Sequence, residues 1–304
     1  MRFLDLFAGI GGFRLALERA GHKCIGFCEI DKFARQTYKA NFNTEGEVEW
    51  HDITKVTDGQ ARELRGKVDL ITGGFPCQAF SVAGERRGFE DTRGTLFFEI
   101  ARIAKEIEPR YLLLENVKGL LSHDKGRTFG IILNTLDELG FDCEWQLLNS
   151  KDFGVPQNRE RVFIVGHSRR FPRREIFPIT RTSGQTLKEI TQGLADAYRV
   201  YDPAGIARTL KAEAGGVGAK TGLYIVPVLT LDRVEKRHGV LVGNGQVRIR
   251  RLTPLECFRL QGFPDEHFHN AKAAGVSDSQ LYKQAGNAVT VNVVYEIARR
   301  LQND

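Results

Sequence analysis

The sequence predicts an α/β protein, with a mostly parallel sheet covered by helices on both faces and a smaller loop- and β-rich unit placed late in the chain. Three observations predict it. Up to Gly166, short apolar runs alternate with amphipathic stretches, which is the rhythm of strands and helices in a parallel sheet. A glycine-rich turn, Phe7-Ala8-Gly9-Ile10-Gly11-Gly12, separates the first apolar run from the first amphipathic one. Beyond Gly166 the rhythm stops, and glycine clusters with short β-rich pieces run up to Arg250.

In chain order, residues 2–7 read as a strand and 12–20 as a helix. Residues 23–28 form a second strand, 32–41 a helix and 48–51 a short third strand. The next strand, 68–72, ends in Gly73-Gly74. A helix over 96–107 leads to a strand at 111–114, and a helix over 128–139 to strands at 144–148 and 162–165. Residues 251–264 read as a connector with one short helix opening at Thr253-Pro254, and the helical pattern returns at 291–301.

With 304 residues, the chain is long enough for one large domain and a smaller one. No apolar run reaches membrane-spanning length, so no membrane partner is expected. The N-terminus lacks a signal-peptide layout, and the five cysteines are scattered without a Cys-x-x-Cys pair. A reducing cytoplasm therefore fits, with no disulfide framework and no metal cluster. Cys24, Cys28, Cys143 and Cys257 read as small buried hydrophobes. The net charge is +6, unevenly spread: residues 167–251 hold 16 Lys and Arg against 7 Asp and Glu, while the rest of the chain holds 28 against 31. Such asymmetry points to a polyanion-facing module.

Glycines in the 7–12 turn allow a tight bend and close approach of a ligand to the backbone. Glu29, at the end of the second strand, is placed to accept hydrogen bonds from two ribose hydroxyls. Asp52-Ile53 ends the third strand on the same edge. NAD and S-adenosylmethionine both fit this pattern. Cys77 follows a strand, two glycines and a proline, so it lies in a loop at the carboxyl edge of the sheet, exposed to a crevice. Glu115-Asn116-Val117 ends another strand on that edge, and Arg159 and Arg161 precede a further one. A thiol, a carboxylate and two guanidiniums can thus converge on one pocket.

Together these segments carry a resemblance. Phe7-Ala8-Gly9-Ile10-Gly11-Gly12, Gly74-Phe75-Pro76-Cys77-Gln78, Glu115-Asn116-Val117 and Gln157-x-Arg159-x-Arg161 are followed by Arg251-Leu252-Thr253-Pro254-x-Glu256-x-x-Arg259-Leu260-Gln261-Gly262-Phe263-Pro264 and Gly286-Asn287-Ala288-Val289. Their order and spacing resemble the cytosine carbon-5 DNA methyltransferase family of bacterial restriction–modification systems, from Phe3 to about Arg300, most weakly between His167 and Arg248.

The resemblance implies a Rossmann-like, S-adenosylmethionine-dependent catalytic domain over 1–166 and 265–304, with a target-recognition domain over 167–264. It implies that a cytosine is flipped out of double-stranded DNA. Cys77 then attacks carbon 6, and carbon 5 takes the methyl, leaving S-adenosyl-L-homocysteine. Glu115 would hold the Watson–Crick edge of the base and Arg161 its carbonyl oxygen, with Arg159 beside it. The cofactor would meet Phe7, Ala8, Gly9, Gly11, Gly12, Glu29, Ile30, Asp52, Ile53, Pro76, Leu96, Asn287 and Ala288. The glycine- and arginine-bearing segment 81–94, with Ser81, Arg86 and Arg93, reads as a lid that touches phosphates. Ala83 stands where some relatives carry a polar hole-filling residue. Arg199 is the candidate reader of a guanine, with Thr209 near the target's backbone. A monomer on DNA is expected, and a cognate restriction endonuclease is a possible partner. The alternative is a tRNA cytosine-5 methyltransferase, but the Cys-Phe-Thr tripeptide of that group is absent.

Overall fold

The computed structural model describes residues 1–76, 96–180, 200–201, 207–208, 223–227, 239–242 and 245–301, with strands between 200 and 251 described by backbone alone. The chain divides into two compact units. The first comprises residues 1–148, 160–180 and 293–304; the second comprises 149–159 and 181–292. Residues 265–292, expected with the catalytic segments, group by contact with the second unit.

The first unit is built on a seven-stranded sheet. Its strands are β1 (Arg2–Leu6), β2 (Lys23–Cys28), β3 (Val48–Trp50), β4 (Leu70–Gly74), β5 (Tyr111–Val117), β6 (Phe141–Asn149) and β8 (Glu160–Ser168). They lie in the order β3-β2-β1-β4-β5-β8-β6. Strands β1 to β5 pair in parallel, and β8 runs antiparallel to β5. The central strands are buried on both faces, which is why they read as continuous apolar runs. The helices α1 (Gly12–Arg19), α2 (Lys32–Asn41), α3 (Asp58–Arg62), α4 (Leu96–Ile107) and α5 (Arg127–Glu138) follow in chain order. Leu4, Leu6, Ile71, Leu112, Leu114 and Ile164 of the sheet join Phe97, Ile100, Ile103 and Ile132 of α4 and α5 in the main core. The C-terminal residues return to this unit, where His22 Nε2 lies 3.1 Å from the Ala298 carbonyl and Arg19 stacks over Tyr295.

Asp5, in the middle of β1, is fully buried. It accepts from Thr72 Oγ1 at 2.9 Å and from Tyr38 Oη at 3.5 Å. Burial pushes its carboxyl up to about 7, against the opposing effects of the Thr72 bond and the Arg14 charge. Nearby, buried Arg14 makes a two-pronged ion pair with Glu47, at 2.7 and 2.8 Å.

The second unit contains a four-stranded sheet in the order β12-β13-β11-β9, from β9 (Val200–Tyr201), β11 (Leu223–Pro227), β12 (Gly239–Val242) and β13 (Gly245–Arg251). A two-stranded parallel pair joins β7 (Gln157–Asn158) to β10 (Ala207–Arg208). Helix α6 (Pro254–Leu260) starts with a full capping box between Thr253 and Glu256 and a proline in its first turn, as the sequence signals. Helices α7 (Asp265–Ala273) and α8 (Asp278–Asn287) follow, and α9 (Val291–Ala298) ends the chain's helices. The sequence reading has no counterpart for α7 and α8. Only Ala271 of α7 is buried, so its apolar signal is faint.

Cys24, Cys28, Cys143 and Cys257 are free thiols; Cys143 is half-buried and the others buried. Burial pushes each up to about 12, so none is a ready nucleophile. Among the described residues no helix is long and apolar enough to cross a membrane, and no cluster of His, Cys, Asp or Glu is arranged to hold a metal ion.

Candidate active site

The strand register gathers the site at one sheet edge. Leu6 pairs with Cys28 and with Gly73, and Gly74 pairs with Glu115, so the segments leaving β1, β2, β4 and β5 emerge side by side. Because β8 is antiparallel, its start reaches the same edge, with Arg161 opposite Val117. In open α/β sheets this carboxyl edge is where ligands bind.

The glycine turn is sharply formed. Phe7, Gly9 and Gly11 all have positive φ, of 54°, 56° and 85°. Gly11 caps α1 in the left-handed region, and that helix start has no side-chain capping hydrogen bond. A side chain at Gly11 would collide with Phe42, whose Cε2 lies 2.2 Å from the ideal Cβ position. At Gly9 the same construction meets nothing within 4 Å. Glu29 holds the turn, since its carboxylate accepts from Gly9 N at 2.8 Å and from Asp31 N at 2.8 Å. A carboxylate has about four acceptor positions, so two remain for hydroxyl donors. Next to it, Ile30 leaves 69% of its surface exposed, while Arg35 Nη1 fixes the backbone by donating to the Glu29 and Ile30 carbonyls. An open backbone turn, a carboxylate with free acceptor positions and an exposed aliphatic side chain suit an adenosine-bearing cofactor.

Asp52 and Ile53 lie two and three residues past the end of β3 rather than at its end. Asp52 accepts from Thr54 N and Oγ1, which lowers its pKa and starts a short turn. The Ile53 side chain is buried in the main core rather than facing the edge. Pro76 is exposed and Leu96 half-buried at the two ends of the gap between described residues.

Glu115 forms an ion pair with Arg161, Oε1 to Nε at 2.9 Å, with side chains 13% and 16% exposed. Gly74 permits it, for a Cβ there would stand 3.3 Å from Glu115 Oε2. The neighbouring Asn116 is buried and donates from Nδ2 to the Phe75 carbonyl at 2.9 Å, while its Oδ1 accepts from Val117 N at 2.8 Å. Asn116 thereby ties the end of β5 to the backbone two residues before Cys77. Sequence reasoning noted the tripeptide but gave Asn116 no task; its place between two edge residues was the available signal.

Arg159 is 2% exposed. Its Nη2 donates to the Gly286 carbonyl at 3.2 Å and the Ala288 carbonyl at 2.9 Å, within the second unit. Asn287 between them is exposed and Ala288 buried. Cys77, Ser81, Arg86, Arg93, Arg199 and Thr209 lie outside the described residues.

Comparison with known proteins agrees with this geometry. The model of the C-5 cytosine-specific DNA methylase family matches residues 1–211 and 211–303. The chain is 37% identical to the Type II methyltransferase M.HhaI of Haemophilus parahaemolyticus, covering 98% of this chain and 93% of that one. It is 39% identical to the Type II methyltransferase M.HpaII of Haemophilus parainfluenzae, covering 98% and 88%. It is 34% identical to the orphan methyltransferase M.SPRI of Bacillus phage SPR, covering 99% and 97%. A solved mutant of Spodoptera frugiperda DNMT2 shares the fold, with a TM-score of 0.70 at 21% identity and 99% of both chains covered. The Rossmann-like methyltransferase sheet, the edge that presents Glu115 and Arg161, and these matches along nearly the whole chain lead to one conclusion: the chain belongs to the C-5 cytosine-specific DNA methylase family.

Proposed function

We propose that this chain is a site-specific DNA (cytosine-5-)-methyltransferase of restriction–modification type, with Cys77 as its nucleophile. The structural observation that carries the residue assignment is the Glu115–Arg161 pair at the carboxyl edge, with Asn116 anchoring the chain just before Cys77. When bound, S-adenosyl-L-methionine supplies an electrophilic methyl group and departs as S-adenosyl-L-homocysteine. Phe7 and Ile30 give the adenine apolar surface, and Glu29 accepts from the ribose. The turn through Ala8, Gly9, Gly11 and Gly12 brings backbone close to the cofactor. Asp52, the Ile53 backbone, Pro76, Leu96, Asn287 and Ala288 complete its surroundings.

The chain's own residues run the base chemistry. The Cys77 thiolate adds to carbon 6 of an extruded cytosine, forming a sulfur–carbon bond. Negative charge spreads onto the ring, where the Glu115 carboxyl, carrying a proton, donates to nitrogen 3 and accepts from the amino group while Arg161 donates to the carbonyl oxygen. Carbon 5 thereby becomes nucleophilic and takes the methyl. Transfer of the carbon-5 proton to water re-forms the 5,6 double bond and expels Cys77 as the thiolate, which restores the aromatic ring. Arg161 is ion-paired with Glu115, so engaging the base exchanges part of that internal pair for contacts to the base.

Residues 1–166 with 265–304 serve catalysis, and 167–264 serve target recognition. Ser81, Arg86 and Arg93 close over the base and phosphates, and Arg199 and Thr209 act on the DNA-reading side. The protein acts as a monomer in the cytoplasm, opposite a cognate endonuclease where one exists.

A duplex carrying 5-fluorocytosine at the target site tests the nucleophile. Fluorine on carbon 5 cannot leave as a proton does, so the enzyme stays bound through Cys77 to carbon 6. The expected result is a denaturant-stable protein–DNA complex with the native chain and none with Cys77→Ser. A stable complex in the Cys77→Ser variant would refute the assignment.

A further inference from the structure

We infer that Arg159 is a positioning residue for the cofactor-facing turn at Asn287, and that it works as part of a buried polar clasp with Gln261 and Thr290. The inference rests on the reading of Asn287 as a cofactor contact. The resemblance pairs Arg159 with Arg161 on the base, but the geometry assigns it a different task.

The clasp lies wholly within the second unit and joins three segments distant in sequence. Arg159 Nη2 donates to the carbonyls of Gly286 and Ala288, which flank Asn287 on either side. Gln261 Nε2 donates to the Ala285 carbonyl at 2.7 Å, and its Oε1 accepts from Thr290 Oγ1 at 2.9 Å. Thr290 Oγ1 also meets Ser150 Oγ at 2.8 Å, and the Gln261 carbonyl accepts from Val291 N at 2.9 Å. Gln157 Nε2 donates to the Leu260 carbonyl at 2.8 Å. All five side chains, those of Ser150, Gln157, Arg159, Gln261 and Thr290, are buried.

The physical cause is the end of a helix. Helix α8 stops at Asn287, and the last carbonyls of a helix lack partners within it. Here Arg159 and Gln261 supply donors to the carbonyls of 285, 286 and 288, and the Arg159 charge sits where the helix dipole is negative. The backbone on both sides of Asn287 is therefore held by buried side chains, while the Asn287 side chain itself is exposed. A buried guanidinium bonded to backbone carbonyls holds a backbone shape; a base contact would need its donors directed at a ligand.

The test measures binding of S-adenosyl-L-homocysteine by calorimetry, with no DNA present, beside single-turnover methylation at saturating S-adenosyl-L-methionine. Arg159→Lys keeps the charge but replaces a planar fork with a single ammonium. It is expected to weaken S-adenosyl-L-homocysteine binding by about tenfold, the scale of one charge-assisted hydrogen bond. The single-turnover rate at saturating cofactor should stay within about threefold, because nothing touching the transition state has changed. Unchanged cofactor binding with a rate lowered about a hundredfold or more would place Arg159 on the base and overturn the inference. If Arg159→Lys fails to fold, Thr290→Val and Thr290→Ser decide. Weakened binding in the valine variant with recovery in serine supports the clasp, and equal binding in both overturns it. A native chain that binds no S-adenosyl-L-homocysteine would overturn the functional reading itself, and the clasp's role with it.

Discussion

Two alanine substitutions, two residues apart, separate structural from ligand-facing glycines in the 7–12 turn. Gly11→Ala forces an L-residue to φ 85°, a strain of about 1–2 kcal/mol. Its Cβ also falls 2.2 Å from Phe42 Cε2, 2.8 Å from Cζ and 3.2 Å from Tyr38 Cε2. Phe42 has little room to retreat, with the Tyr38 ring at 5.0 Å and the Arg14 guanidinium over its face at 4.7 Å. Overpacking of that kind adds about 1–3 kcal/mol. The total, roughly 2–5 kcal/mol, corresponds to a fall in Tm of roughly 4–20 °C for a unit of this size. Gly9→Ala carries φ strain at 56° but no collision, so it should cost only about 1–2 kcal/mol. Ligand reverses the ranking of interest. S-adenosyl-L-homocysteine at a hundred times its Kd stabilises a binding-competent protein by about 2.7 kcal/mol. Gly9→Ala should lose most of that added stability, because its methyl enters the space left for the cofactor. Differential scanning calorimetry with and without ligand reads both effects. Equal unliganded Tm values for the two variants, or a full ligand-induced rise in Gly9→Ala, would refute the reasoning.

Three further outcomes follow from the same geometry. Glu115→Gln leaves Arg161 without its counter-charge and removes the carboxyl proton that meets nitrogen 3, so single-turnover methylation should fall by about a hundredfold or more; a rate within a few-fold of native contradicts the assignment. Asn116→Ala orphans the Phe75 carbonyl, a cost of about 1–3 kcal/mol in urea unfolding, and should slow adduct formation with 5-fluorocytosine DNA more than it weakens DNA binding. Asp5 gives a pH signature: burial raises its carboxyl to about 7, so the native state keeps a proton that the unfolded chain releases near its ordinary value. That contribution is fully present at acid pH and is lost as pH rises toward 7, amounting to about 4 kcal/mol. Urea unfolding at pH 5 and pH 8 should therefore show a smaller stability difference in Asp5→Asn than in the native chain, and identical differences count against the burial account.

Much of the catalytic sheet was legible because its central strands are buried on both sides and their apolar runs have sharp ends. The reading of 2–7 and 23–28 differs from β1 and β2 by a residue at most. The outer strand β6 was underestimated at 144–148, since half-buried, polar Asp142 separates buried Phe141 from the rest of the strand and polar Asn149 ends it. Helices α7 and α8 escaped because α7 buries only Ala271, and α8 buries one large apolar residue, Leu281, beside Gln284, Ala285 and Gly286 rather than a broad apolar stripe. Within the site, the glycine turn and Glu29 carry their geometry in short local spacing. Arg159 does not: its partners are 127 and 129 residues away in the chain, and two arginines spaced by one residue look alike until their surroundings are known. Asp52 and Ile53 illustrate the same limit, as one turned out to cap a turn and the other to fill the core.

The most direct test of the central claim is transfer of a tritium-labelled methyl group from S-adenosyl-L-methionine to duplex DNA and to tRNA, followed by nucleoside analysis of the product. The account predicts label in DNA as 5-methyldeoxycytidine at a recurring short sequence, none in tRNA, and none from Cys77→Ser. Label confined to tRNA, or undiminished transfer to DNA by Cys77→Ser, would contradict it.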